Sequence, residues 1–184
     1  MQQSGEYRLG APRTAVWEAL NDPDVLARCI EGCQSMTRTA ENAYAASVKA
    51  KIGPVSATFQ ADLSLTDLSP PASYTLVANV KGGAAGFGKG TARVNLTPDG
   101  DGTLLRYEVQ GSVGGKLAQV GQRLVDAAAR KMADDFFGKF GDEVAPGGSA
   151  KVAAAGAATT ESKGRYVIWV IVFLVLVLAI VLAS

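Results

Sequence analysis

The chain contains no histidine, which removes the commonest general base and the commonest metal ligand together. Cysteine is scarce, with two in 184 residues, so no disulfide framework is expected. Cys29 and Cys33 stand four apart, but no His or further Cys can complete a zinc tetrahedron around them. The C-x-x-C spacing of a redox pair is also missing. An excess of either charge is lacking too. Lys+Arg total 18 against Asp+Glu 17, a balance that disfavours nucleic acid as a partner. The opening MQQSGEYRLG has no apolar h-region, so nothing suggests secretion.

What the chain does have is one long apolar run at its end. Tyr166 through Ala183 reads YVIWVIVFLVLVLAIVLA without a charge, and as a helix it would extend roughly 27 Å, close to the hydrocarbon thickness of a bilayer. A buried core helix of that length would normally show a polar face, and this run shows none. Lys163 and Arg165 precede it and no basic residue follows. The expectation is therefore a single-pass C-terminal anchor in the cytoplasmic membrane, with the main domain facing the cytoplasm. Tyr166 and Trp169 suit the interface near that end, and Phe173 lies deeper in the span. Before the anchor, 145–165 is rich in Ala, Gly, Ser and Thr, as in a flexible linker that reaches on the order of 25 Å.

Residues 1–144 are a good length for one domain. Ser4–Leu9 suits a short strand. Pro12 opens a helix that Asp22-Pro23 ends, and a second short helix follows to Gly32. The apolar period then changes from 3.6 to 2. Strands are expected near 34–39, 44–52, 55–68, 73–80, 88–97 and 103–113, separated by Glu41-Asn42, Gly53-Pro54, Pro70-Pro71, Gly82–Gly86 and Pro98-Asp99-Gly100. Short connections imply an antiparallel meander. From Lys116 to about Val144 the helical period returns, with Leu117, Val120, Leu124, Ala128, Met132, Phe136 and Phe140 on one face. That amphipathic helix should lie on the sheet.

The β–α–α–β-meander–α order resembles the helix-grip fold of the START-like (SRPBCC) superfamily, an α+β class in which an antiparallel sheet wraps around a long C-terminal helix. Three stretches resemble the CoxG family of carbon monoxide dehydrogenase subunits: APRTAVWEALNDPDVLARCIEGC at Ala11–Cys33, KAKIGPVSATFQADLSL at Lys49–Leu65 and GQRLVDAAARKMADDFF at Gly121–Phe137. Glu31 departs from the pattern, since the family usually has proline before the glycine. The resemblance implies a non-enzymatic accessory protein that recruits a molybdenum carbon monoxide dehydrogenase to the membrane. It also implies a bound quinone, menaquinone or ubiquinone, delivered so that electrons from CO oxidation reach the respiratory chain. A general carrier of lipids or other hydrophobic ligands is the alternative within the superfamily.

The residues themselves leave the interior open to two readings. The inward phase of the strands is rich in Ala and Gly, which permits either close approach of helix and sheet or an apolar void. If a void forms, Trp17, Val48, Phe59, Leu63, Leu76 and Val94 are candidates to line it. Tyr107 and Val109 from the last strand join them, with Leu117, Leu124 and Ala128 from the helix. Trp17 is also a good core residue. The stretch GAAGFGKGT at Gly83–Thr91 imitates a phosphate-binding loop, but alternating residues follow it, where that loop requires a helix. Gly83, Gly86, Phe87 and Gly88 instead suggest a flexible loop at a cavity mouth or partner surface, or simply a mobile turn. Glu6, Glu18, Asp62 and Glu108 fall at polar-phase positions and suggest no acid/base pair.

Overall fold

The computed structural model describes residues 2–145, 151–152 and 181–183. Strand β1 (Gln2–Leu9) leads into helices α1 (Arg13–Leu20) and α2 (Pro23–Cys29). Six strands follow: β2 (Cys33–Ala40), β3 (Ala43–Ile52), β4 (Val55–Ser69), β5 (Ser73–Gly83), β6 (Phe87–Asp99) and β7 (Gly102–Gly114). They form the expected antiparallel meander, and β1 returns to pair with β7. Helices α3 (Lys116–Val120) and α4 (Gln122–Val144) close the domain. The short strands β8 (Lys151–Val152) and β9 (Val181–Ala183) pair with β1 and β5 respectively.

Local chemistry accounts for the early helices. Asp22 Oδ1 accepts from the backbone N–H of Asp24 at 2.8 Å and of Val25 at 3.4 Å, so one side chain caps α2 while Pro23 fills its first turn. Gly32 ends the segment at φ +76°, and a Cβ there would meet the Lys49 carbonyl oxygen at 2.1 Å. Glu31, at the departure from the family pattern, is exposed and its carboxylate lies 3.5 Å from Lys131 Nζ. The turn keeps its shape through Gly32 and does not require proline before it.

The alternation read from the sequence places its apolar phase inward. Val48, Phe59, Leu96 and Tyr107 are all but inaccessible, and Ala46, Ala61, Ala78 and Ala92 are buried beside them. Over this concave face lies α4, whose Phe136, Phe137 and Phe140 are buried. Phe137 sits 3.7 Å, centroid to centroid, from Tyr7 of β1, and Phe136 stacks on Phe140 at 5.5 Å. Arg28 of α2 grips Glu143 at the far end of α4 with two hydrogen bonds, of 2.8 and 3.0 Å.

The expected continuous helix from Lys116 to Val144 is two helices. Gly121 adopts φ +94° and ψ 140°, a conformation that L side chains rarely take, and it separates α3 from α4. The break resets the helical phase. Val125 is buried and Leu124 is 50% exposed, the reverse of what one unbroken helix dictates. Of the expected anchor at 166–183, Tyr166, Trp169 and Phe173 lie outside the described residues, as does most of the linker at 145–165. Val181–Ala183 lie as strand and not as helix, beside Gly82 and Gly83. Among the described residues no helix is long and apolar enough to cross a membrane.

Two glycines of the helical region should respond in opposite ways to alanine. A Cβ on Gly138, mid-helix, or on Gly121 would meet nothing within 4 Å, so backbone preference alone decides. Gly138→Ala is expected to stabilise the domain by about 0.5–1 kcal/mol. Gly121→Ala is expected to destabilise it by about 1–3 kcal/mol. Urea unfolding midpoints of the two variants check both signs.

Candidate functional site: an apolar cavity under the aromatic half of the long helix

An almost wholly apolar, partly open cavity lies between the sheet, the α1–α2 segment and the C-terminal half of α4. Its floor comes from Leu63 and Leu65 of β4, Tyr74 and Leu76 of β5, Val94 of β6, and Leu105 and Tyr107 of β7. Phe136 and Phe137 roof it, and Met36 and Tyr44 close the side toward β2 and β3. Leu20, Leu26 and Ile30 complete the wall. Leu20 and Leu26 are only half-buried, whereas the other lining residues are buried. The mouth is therefore on the α1–α2 side.

The free volume is about 70 Å³, room for a few waters at roughly 10–15 Å³ of accessible volume each. It falls well below the ~300–1,000 Å³ typical of small-molecule pockets. The domain as described is closed, and a ring-sized ligand requires the wall to move.

The polar ties of that wall lie outside the cavity. The Asn21 carbonyl oxygen accepts from Arg38 Nη2 at 2.7 Å and from the Tyr44 hydroxyl at 3.1 Å. Arg38 also lies over the Tyr44 ring, 5.4 Å from its centroid. With the Arg28–Glu143 pair, these contacts hold α1 and α2 over the opening.

The cavity brings together Leu63, Leu76, Val94 and Tyr107 from the sequence-derived candidates. The others sit elsewhere. Val48, Phe59, Val109 and Leu117 are buried core, and Leu124 is half exposed. Ala128 borders a surface groove with Lys49, Lys51 and Lys131. Trp17 packs edge-on against Tyr74 at 5.5 Å and faces an open depression with Asp22, Asp24 and Arg38. Most of the actual lining is not among those candidates, notably Tyr44, Tyr74, Phe136, Phe137 and the α1–α2 leucines. The inward phase of β3–β5 contained a signal for Tyr44, Leu65 and Tyr74. The wall from α1 and α2 had none beyond apolar residues on short helices.

Small residues do not create the void, contrary to one of the two readings of the interior. No alanine or glycine lines the cavity. The inward alanines are buried beside it, among Val48, Phe59, Val80 and Val109.

The Gly82–Gly86 turn is not at the mouth. Leu76 is the last residue of β5 to line the cavity, and Gly82 lies further along the strand by roughly 20 Å at strand rise. The turn is closed by hydrogen bonds from Gly82 N to Gly86 O, 2.8 Å, and from Ala85 N to Gly82 O, 3.0 Å. A Cβ on Gly86 would meet the Gly114 carbonyl oxygen at 2.0 Å, so glycine is required by contact as well as by its φ of +126°. Gly83 turns at φ +54°, Gly88 is buried within β6, and the half-exposed Phe87 ring covers Gly114 across the strand pair. Strand β6 follows directly, so the helix needed for phosphate binding is absent.

The cysteine thiols are poor nucleophiles. Burial pushes the Cys29 thiol up to about 11, aided by the Glu143 carboxylate, and burial raises Cys33 as well. Among the described residues no group of His, Cys, Asp or Glu side chains could hold a metal ion. Burial, with the Asp134 carboxylate behind it, holds the Tyr7 phenol far above its ordinary range, and burial does the same to Tyr74.

The family model for CoxG, a subunit of carbon monoxide dehydrogenase, matches residues 5–145. No curated protein matches the chain. A solved structure of a conserved protein from Geobacillus kaustophilus is similar at 34% identity and TM-score 0.74, covering 82% of this chain and 99% of that one. That chain, matched almost end to end, folds as little more than this domain. A Thermus thermophilus protein is similar in fold at 12% identity and TM-score 0.60, covering 81% of this chain and all of the other. A Mycobacterium smegmatis protein reaches TM-score 0.57 at 15% identity, covering 79% and 92%.

The raised thiol and phenols fix the sign of an alkaline effect. An unfolded thiol ionises from near 9 and an unfolded phenol from near 10, while the buried groups hold their protons to higher pH. The native state then binds more protons than the unfolded one, so stability falls as pH rises above about 9. Thermal midpoints should decline from pH 9 to 11, and less steeply for Cys29→Ala. At pH 8, Cys29 should resist a thiol reagent until the protein is unfolded.

Proposed function

The chain belongs to the CoxG family of carbon monoxide dehydrogenase subunits, and from that premise we propose a ligand-carrying accessory protein that serves a membrane-bound respiratory process. It recruits a molybdenum carbon monoxide dehydrogenase to the cytoplasmic membrane through its apolar C-terminal run. It holds a quinone in the cavity between the sheet and α4 and presents it to the enzyme.

The observation that carries this reading is the apolar cavity beneath Phe136 and Phe137. Such a wall suits an isoprenoid or aromatic molecule, whose burial contributes ~0.8 kcal/mol per CH₂ without directional contacts. The wall is made of aliphatic side chains and aromatic rings, and it offers no carboxylate, amine or thiol for acid/base or nucleophilic work. The small closed volume fits a carrier that opens to load and closes to shield its cargo. Movement of α1–α2 supplies the opening, because the mouth lies there and its polar ties are few.

Two measurements test the two halves. Deleting Tyr166–Ser184 should leave a domain that binds the dehydrogenase in a pull-down but no longer brings it into the membrane fraction. If the enzyme sediments with membranes equally well after the deletion, the recruitment reading fails. Organic extraction of the protein purified from its native membrane should yield an isoprenoid quinone. A lipid other than quinone would point to the general carrier, and an empty extract with no binding on titration would end the carrier reading.

A further inference from the structure

One residue that lines the cavity carries a polar group without a partner among the described residues. Tyr74 is 7% exposed and lines the cavity floor. Its ring packs against Trp17, but its hydroxyl makes no hydrogen bond among the described residues. The other cavity phenols are engaged. The Tyr44 hydroxyl donates to the Asn21 carbonyl and accepts from Arg38 at 3.2 Å, and Tyr107 is also partnered.

A buried hydroxyl without a partner is unfavourable and rare enough in native proteins to require a reason. Desolvation keeps this phenol protonated throughout the physiological range, so it is available as a donor. A trapped water is a poor solution. Water in a cavity needs two to four polar partners, and besides Tyr74 the wall offers only two phenols already in use, together with the weakly accepting thioether of Met36. An apolar cargo with no polar atom leaves the hydroxyl as orphaned as before.

We propose that Tyr74 is the ligand-orienting residue of the cavity, donating its hydroxyl hydrogen to a carbonyl oxygen on an otherwise apolar ring-bearing ligand. The inference rests on the carrier reading and adds a directional contact to it. One hydrogen bond in an apolar wall fixes which end of the ligand lies on the sheet floor, as expected of sites with few, well-placed polar groups. The remaining wall is free to accept the tail by shape. The contact also gives a preference for the carbonyl-bearing form of a ring over its hydrocarbon analogue.

The test uses the domain ending at Val152, justified by the Geobacillus relative that folds with little more. Trp17 is its single tryptophan and lies against Tyr74, so ligand entry is read by quenching. The probes are 2-methyl-1,4-naphthoquinone and 2-methylnaphthalene, the same ring system with and without carbonyls. For Tyr74→Phe the quinone should bind about 5–10-fold more weakly, the loss of one neutral hydrogen bond. The hydrocarbon should bind both forms equally. Without ligand the variant should melt no lower than the parent, because an orphan hydroxyl is removed.

Equal quinone affinity in parent and variant would overturn the assignment while leaving the carrier reading intact. So would equal weakening of both probes, which would show a packing role alone. A lower melting point for the ligand-free variant would show that the hydroxyl is already paired in the protein, and would overturn it too. If neither probe binds the parent domain, the carrier reading and the assignment fail together.

Discussion

The aromatic half of α4 sets the shape of everything around it. Phe137 lies in face contact with Tyr7 of β1, and Tyr7 in turn lies 6.2 Å from Tyr107 of β7. These rings fasten the helix to one side of the concave sheet. Large rings cannot also reach down to β4 and β5, where Leu63, Leu65 and Leu76 face them. The rest of the same concave face is filled, with Ala46, Ala61 and Ala78 buried among Val48, Phe59 and Val80. The cavity lies in the space left between those leucines and the rings of α4. Dense packing elsewhere and a void here thus follow from where the rings of α4 come to rest.

How far the sequence revealed this follows from the range of each interaction. The strands were legible because period-two alternation is local, and every expected turn carries glycine, proline, asparagine or acidic residues. Helix α2 was legible because Asp22 and Pro23 stand at its start. The break at Gly121 was not, since one glycine in an apolar-periodic stretch is tolerated in many helices and only its φ decides. Missing that break put Leu124 on the inward face. The cavity was least legible. Its floor residues were inward by phase, but which of them border empty space depends on where Phe136 and Phe137 rest and on how α1–α2 covers the mouth. Those are contacts between residues more than a hundred apart, such as Tyr7 with Phe137 and Arg28 with Glu143.

The Gly83–Thr91 stretch shows how the same residues serve a different physical end from the one their spelling suggests. In a phosphate loop, glycines bring amides around an anion at a helix start. Here they allow two chain reversals to touch, with Gly86 against Gly114 and Gly115. Leu117 N also donates to the Ala85 carbonyl at 3.1 Å. The turn ties β5–β6 to the α3 segment and so helps fix where α4 begins. Its contribution to the cavity is indirect, by setting the far end of the helix whose near end roofs it.

A volume of about 70 Å³ and a role in carrying a ring-bearing molecule are compatible only if the closed state opens at modest cost. The ties across the mouth are suited to that. The Arg28–Glu143 pair is exposed to solvent, where screening leaves such a pair little weight in stability. The Asn21 carbonyl, released from Arg38 and Tyr44, can be taken up by water because it lies near the surface. The apolar wall is different. Exposing Leu20, Leu26 and Ile30 forfeits roughly 25 cal/mol for each Å² uncovered, so an empty open state is penalised and a filled one is not. A ligand that replaced those contacts would remove the penalty.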